Sequence, residues 1–233
     1  MRLIINLDGG NEVPYDHSYL LYSAVINAVR SVDTSLASAI HNNSHYPWYC
    51  LSQLLPGGKR EYTKTGMKAE RFIFLISSLD TAVLEKIKAG IERQENIFVG
   101  NIEMSVHSTM METPYISSGI VNMISRSPIV LKSEGRYVSS KDEDFQSVLQ
   151  NNITSKYAKV KQLLPRIKFM RITSAKSKLS ALKGIRIPST MVNFTISADY
   201  DLIDFIASVG IGSKTQMGFG FIEEQRRVSN NGL

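Results

Sequence analysis

Apolar positions along the chain switch several times between short continuous runs and a helical spacing of about 3.6 residues. Residues 3–7 form an apolar run interrupted by Asn6, and Asp8-Gly9-Gly10-Asn11 ends it, which predicts a first strand. Beyond Val13-Pro14-Tyr15, the spacing of Tyr19, Leu20, Ala24, Ile26 and Val29 predicts a helix capped by Asp16 or Ser18. Asp33-Thr34 predicts the cap of a second short helix holding Leu36, Ala37 and Ile40, closed by His41. Residues 46–55 read as a strand and Pro56-Gly57-Gly58-Lys59-Arg60 as a turn. Residues 71–76 predict a strong strand, Asp80 a cap before Val83, Leu84, Ile87 and Ile91, and residues 96–106 a returning strand.

The second half repeats the order less clearly. Residues 128–131 and 136–138 read as short extended pieces, and 142–160 as a helix with Phe145, Val148, Leu149, Ile153 and Tyr157 on one side. Residues 166–173 and 190–197 read as paired strands, with Lys176-Ser177-Lys178 at their hairpin. Asp199 starts a helix with Leu202, Phe205 and Ile206, and residues 219–222 read as a last strand. Each half then has the order β-α-β-β-α-β. The expected fold is α+β, with two tandem ferredoxin-like domains at 1–112 and 113–225 and a polar tail at 226–233.

Composition adds limits. With 43% hydrophobic and 21% charged residues, a packed core is expected and not disorder. Cys50 is the one cysteine, which excludes an intrachain disulfide and a multi-cysteine zinc site. No run approaches the roughly 20 apolar residues of a membrane span, so the chain reads as cytoplasmic, without a membrane partner. The net charge of +6 favours polyanions only weakly. A sharper signal is that no Asp or Glu lies between Lys156 and Arg186, a stretch holding Lys156, Lys159, Arg166, Lys168, Arg171, Lys176 and Lys178. An unopposed run of this kind predicts contact with RNA, the strand pair entering a groove or following the backbone.

The most unusual segment is Gly210-Ile211-Gly212-Ser213-Lys214-Thr215-Gln216-Met217-Gly218-Phe219-Gly220. Ser213 separates Gly212 from Lys214, so it is not a Walker A loop, and a helix precedes it where a dinucleotide fingerprint has a strand. Free amides around Gly210, Gly212, Gly218 and Gly220 are expected to form an anion nest, with Lys214 supplying charge at the tip.

The pattern Gly-hydrophobic-Gly, five residues, Gly-hydrophobic-Gly before the last strand resembles the signature of the repeat-associated mysterious protein superfamily. Within it the chain is similar to endoribonucleases that process CRISPR repeat RNA. The N-terminal segment agrees, with a first strand, Val13-Pro14-Tyr15-Asp16-His17, a helix, and a histidine soon after. The resemblance implies cutting of CRISPR repeat RNA without metal or other cofactor, by attack of a 2′-hydroxyl on the adjacent phosphate. It implies 2′,3′-cyclic phosphate and 5′-hydroxyl ends and a guide RNA kept for an interference complex. Repeat RNA is the implied partner. Other subunits of that complex and a second copy of the chain are further candidates.

Histidine can take or give the protons such a cut requires. The family's catalytic histidine falls at His41 here, with His45 as the other candidate, whereas His17 and His107 read as structural or surface residues. Two family features are displaced. A helix tyrosine that assists some members would fall near Ile26, one turn after Tyr22, and the lysine expected soon after the histidine is absent until Lys59. Tyr46, Tyr49 or His45 are the candidates for the second proton-transfer role. Asp142, Glu143 and Asp144 cluster as metal ligands would, but at a helix start they read as a cap. Two other readings remain. One is a non-catalytic RNA-binding subunit of the interference complex. The other is a domain binding a small anion at the glycine loop.

Overall fold

The computed structural model describes residues 1–42, 46–117 and 119–225. The first half contains β1 (Arg2–Asp8), β2 (Val13–Pro14), α1 (Ser18–Val32), α2 (Thr34–Asn42), β3 (Cys50–Leu51), β4 (Leu55–Tyr62), β5 (Gly66–Ser77), α3 (Thr81–Gln94), β6 (Asn96–Val99) and β7 (Ile102–Glu112). The second contains β8 (Ile120–Ser125), β9 (Leu131–Ser133), β10 (Arg136–Val138), α4 (Phe145–Lys161), β11 (Ile167–Leu182), β12 (Ile185–Ala198), α5 (Tyr200–Val209), a 3-10 turn (Thr215–Met217) and β13 (Ile222–Glu224).

The two halves are mixed α/β layers on antiparallel sheets. In the first sheet β1 lies between β5 and β7, with β4 outside β5. In the second, the order is β11-β12-β8-β13, so the first strand of each half is central. Alternation explains the layers. Leu3, Ile5 and Leu7 point from β1 into a core with Leu21 and Val25 of α1 and Ile87 of α3. Met123, Phe194 and Ile196 do the same against Phe145, Leu149 and Ile153 of α4 and Phe205 of α5.

Helix starts follow the expected chemistry at two places: Asp80 accepts from the Ala82 amide at 2.9 Å, and Asp33 from the Leu36 amide at 2.9 Å. At α1 the cap position is His17, without a side-chain cap bond, in place of Asp16 or Ser18.

Strand boundaries differ more. Of residues 46–55 only Cys50, Leu51 and Leu55 are in strand, and the expected turn at Pro56-Arg60 lies inside β4. The register of β4 on β5 shifts between Gly57 and Arg60, and a bulged outer strand tolerates both the proline and the glycines. The stretch 96–106 is a hairpin of β6 and β7. In the second half the first sheet strand is β8, which the sequence pattern did not single out, while β9 and β10 form a separate pair. The β11–β12 turn is at Lys183-Gly184, both with positive φ, not at Lys176-Ser177-Lys178, which pair inside the ladder.

Candidate active site and RNA interface

The glycine segment follows α5 and crosses to the first half. Gly210 caps α5, its amide donating to Ile206 O at 2.9 Å. The Ile211 amide donates to Gly220 O, Ser213 to Val130 O, and Gly220 to Pro128 O. The Gly212 amide donates to Asn152 Oδ1 at 2.7 Å. Gly210, Gly212, Gly218 and Gly220 are all buried. This corrects the expected anion nest, because the amides of Gly210, Gly212 and Gly220 are already occupied. The glycines serve close packing instead. A Cβ on Gly220, whose φ is +68°, would lie 1.8 Å from Ile211 O, and one on Gly212 2.6 Å from Val130 O.

What the loop presents is its middle. Gly212, Lys214 and Gln216 line a cleft of about 430 Å³ together with Tyr46 and Pro47 from the first half and Lys132, Asn152, Lys156 and Lys159 from the second. Gln216 Nε2 donates to Tyr46 O at 2.6 Å, which ties the two halves at this point. The Tyr46 ring is 46% exposed and meets Trp48 edge-on at 4.7 Å. His41 is exposed in the last turn of α2, shortly before Tyr46 in the chain. His45 lies outside the described residues, as does the tail 226–233.

One proposed proton partner, Tyr49, is removed, and the displaced tyrosine Tyr22 does not replace it. Tyr49 is fully buried and burial raises its pKa well above the usual phenol value, and Tyr22 is buried with its pKa raised by the same cause. Neither can meet an RNA from inside the core. His17 is structural: buried, its Nε2 accepts from the Leu54 amide at 3.1 Å, so Nδ1 donates to Pro14 O at 2.8 Å. His107 is exposed on β7 beside Asp8 at 3.4 Å. Asp144 stands at the start of α4 without capping through its side chain, because Arg136 binds both Asp142 and Asp144.

The basic run divides. Lys159 and Lys214 reach the loop cleft, while the Lys156 ammonium turns inward to Gly210 O at 3.1 Å and Gly212 O at 2.8 Å. Lys156 therefore does not stand free at the surface as its neighbours in the run do, but holds the loop from the inner side of the cleft. Arg166, Lys168, Arg171, Lys176 and Lys178 are exposed and line no part of the loop cleft. Lys178 belongs to a second cleft of about 850 Å³ between the halves, with Arg186, Tyr15 and Tyr62. Sequence reasoning missed Lys132, Asn152 and Gln216 as cleft residues. Asn152 and Lys156, at i and i+4 of one helix, carried the only available signal.

Comparison with known proteins places this geometry. Residues 12–110 match the family model for the N-terminal part of CRISPR-associated protein Cas6, and residues 111–224 the model for its C-terminal part. The CRISPR-associated endoribonuclease Cas6 1 of Methanocaldococcus jannaschii is 27% identical, over 95% of this chain and 91% of the relative. The CRISPR-associated endoribonuclease Cas6 of Pyrococcus furiosus is 26% identical over 99% of this chain and 97% of the relative. A solved structure titled CRISPR associated protein Cas6 superposes with a TM-score of 0.83 and 26% identity, covering 97% of this chain and 99% of that one.

Proposed function

Because the chain belongs to the Cas6 family of CRISPR-associated endoribonucleases, we propose that it binds CRISPR repeat RNA and cuts it without metal, releasing guide RNAs. The supporting observation is the loop cleft, where Tyr46, just after the histidine segment, shares one wall with Lys159, Lys214 and the glycine loop. The matching strand orders support the finer reading of tandem ferredoxin-like domains, 1–112 and 113–225.

In this reading the 2′-hydroxyl loses its proton to a general base as its oxygen bonds to phosphorus. The P–O5′ bond breaks, and the 5′-oxygen takes a proton from a general acid. His41 fills one role, and His45 or Tyr46 the other. Lys159 and Lys214 offset the extra negative charge on the pentacoordinate phosphorus. Repeat RNA from the source genome, incubated with and without EDTA, tests it. Equal cutting in EDTA is expected, with cyclic phosphate ends, and no cutting when the ribose at the cut lacks its 2′-hydroxyl. Loss of cutting in EDTA rejects the mechanism. Normal cutting by both His41→Ala and His45→Ala rejects the site.

The displaced helper residues favour one second reading, a non-catalytic RNA-binding subunit. Tyr22 is in the core and no lysine follows His41 before Lys59. That reading is upheld if repeat RNA is bound and never cut.

A further inference from the structure

Asn152 and Lys156 sit one turn apart on α4 and grip the same glycine from both sides. Asn152 Oδ1 takes the Gly212 amide at 2.7 Å, while the Lys156 ammonium donates to the Gly212 carbonyl at 2.8 Å and to the Gly210 carbonyl at 3.1 Å. A neutral donor would suffice for that grip. An ammonium brings in addition a charge whose desolvation is costly unless an anion offsets it.

Among the described residues, no carboxylate lines this place. The groups around Lys156 are the Cys50 thiol of β3, Lys159 on its own helix, Lys132 of β9, Lys214 of the loop and the Tyr46 phenol. None of these is a carboxylate, and burial pushes the Cys50 thiol up to about 12, so it stays neutral near pH 7. Burial in turn pushes Lys156 down to about 8. The cleft therefore carries an uncompensated positive charge at its inner wall.

We propose that Lys156 is a positioning residue for the cleavage reaction: with Asn152 it fixes Gly210 and Gly212, and its part-buried charge, which borders the cleft, is compensated by a phosphodiester of the bound RNA. The inference rests on the endoribonuclease reading above. It also gives a sign. An anion at the cleft favours the charged amine, so affinity is full below the free-protein value of about 8 and declines as pH rises past it.

The test is binding of repeat RNA made uncuttable by a 2′-deoxyribose at the cut, measured from about pH 7 to 9. The unaltered protein is expected to lose affinity about tenfold over that range. Lys156→Met is expected to bind about tenfold more weakly at pH 7 and to show no such decline. Lys156→Arg, which cannot lose its proton, is expected to bind well throughout with a flat profile. Differences between proteins cancel any titration of the RNA bases. A Lys156→Met profile that tracks the unaltered protein overturns the inference. If Lys156→Met does not fold, a Lys156→Arg profile that falls as steeply as the unaltered one overturns it. Asn152→Ala is expected to speed hydrogen exchange of the Gly212 amide about tenfold while keeping the pH decline, and unchanged exchange removes Asn152 from the grip. Should the unaltered protein leave normal repeat RNA uncut while these binding profiles hold, the endoribonuclease reading fails and the phosphate role of Lys156 stands. If it cuts and all profiles coincide, only the present inference fails.

Discussion

The glycine loop and the β11–β12 hairpin both reach from the second half to the first, with opposite chemistry. The loop is buried and its amides are largely taken by protein acceptors. It meets the first half through Gln216 and through the Cys50 thiol beneath Phe219 O. The hairpin is edged by exposed cations and meets the first half at its tip, where Lys183 lies 4.5 Å over the Tyr19 ring. Between the hairpin and the first half lies the wider cleft with Tyr15 and Tyr62. Rigidity goes with the small cleft and free charge with the large one. A reaction needs fixed geometry, whereas holding a polyanion needs mainly exposed charge. On the function proposed above, chemistry belongs to the loop side and affinity to the hairpin side.

The largest effect should come from the exposed histidine at the end of α2. His41→Ala is expected to lower single-turnover cutting about 10²–10⁴-fold. Because His41 is exposed, its unfolding free energy should stay within about 0.5 kcal/mol of the unaltered protein. Rates within twofold, measured on repeat RNA, would place the chemistry elsewhere. Gly220→Ala comes next and tests the loop's rigidity. Its Cβ has no room beside Ile211 O, and φ of +68° disfavours any side chain, so a loss of about 3 kcal/mol in urea unfolding is expected. A loss below about 1 kcal/mol would mean the loop yields easily.

The hairpin side should behave otherwise. Lys176→Ala and Lys178→Ala are each expected to weaken RNA binding by about 1 kcal/mol and to flatten the salt dependence by about one unit of log–log slope. Cutting of bound RNA should stay unchanged. If either change slows cutting of saturated complexes instead, the division between the two clefts is wrong.

The sequence made part of this readable, and the exceptions have physical causes. Asp80 and Asp33 announced their helices because a cap is a local bond between near neighbours. Mixed strands and helices were readable from hydrophobic period, but β8, the central strand of the second sheet, was not singled out. β4 was not, since Pro56-Gly57-Gly58 has turn composition and its strand state depends on pairing with β5. The β11–β12 turn was missed because polar Lys176-Ser177-Lys178 resembles a turn, while the true one needs the positive φ at Lys183 and Gly184. The glycines were visible as unusual, but what fills the space beside them is set by Val130 and Cys50, far away in the chain, and by Ile211 across the loop. The same holds for the site. Lys156 belonged to an obvious basic run, and only its packing against Gly210 and Gly212 separates it from its exposed neighbours.

The smallest expected effect concerns the histidine of the hairpin cleft. His17 borders the hairpin cleft but is buried, holding Pro14 O and the Leu54 amide. Burial lowers its pKa, with the Pro14 bond opposing, so the folded protein keeps it neutral at a pH where the unfolded chain takes up a proton. Stability from this group is therefore complete above the unfolded value of about 6.5 and is lost as pH falls below it, by at most about 1.4 kcal/mol per pH unit. Urea unfolding between about pH 7 and 5 should show this decline, and His17→Gln should lose part of it while binding RNA with unchanged salt dependence. An identical acid limb in the variant would show that another group sets it. Altered cutting at constant stability would give His17 a role in the reaction that its buried bonds argue against.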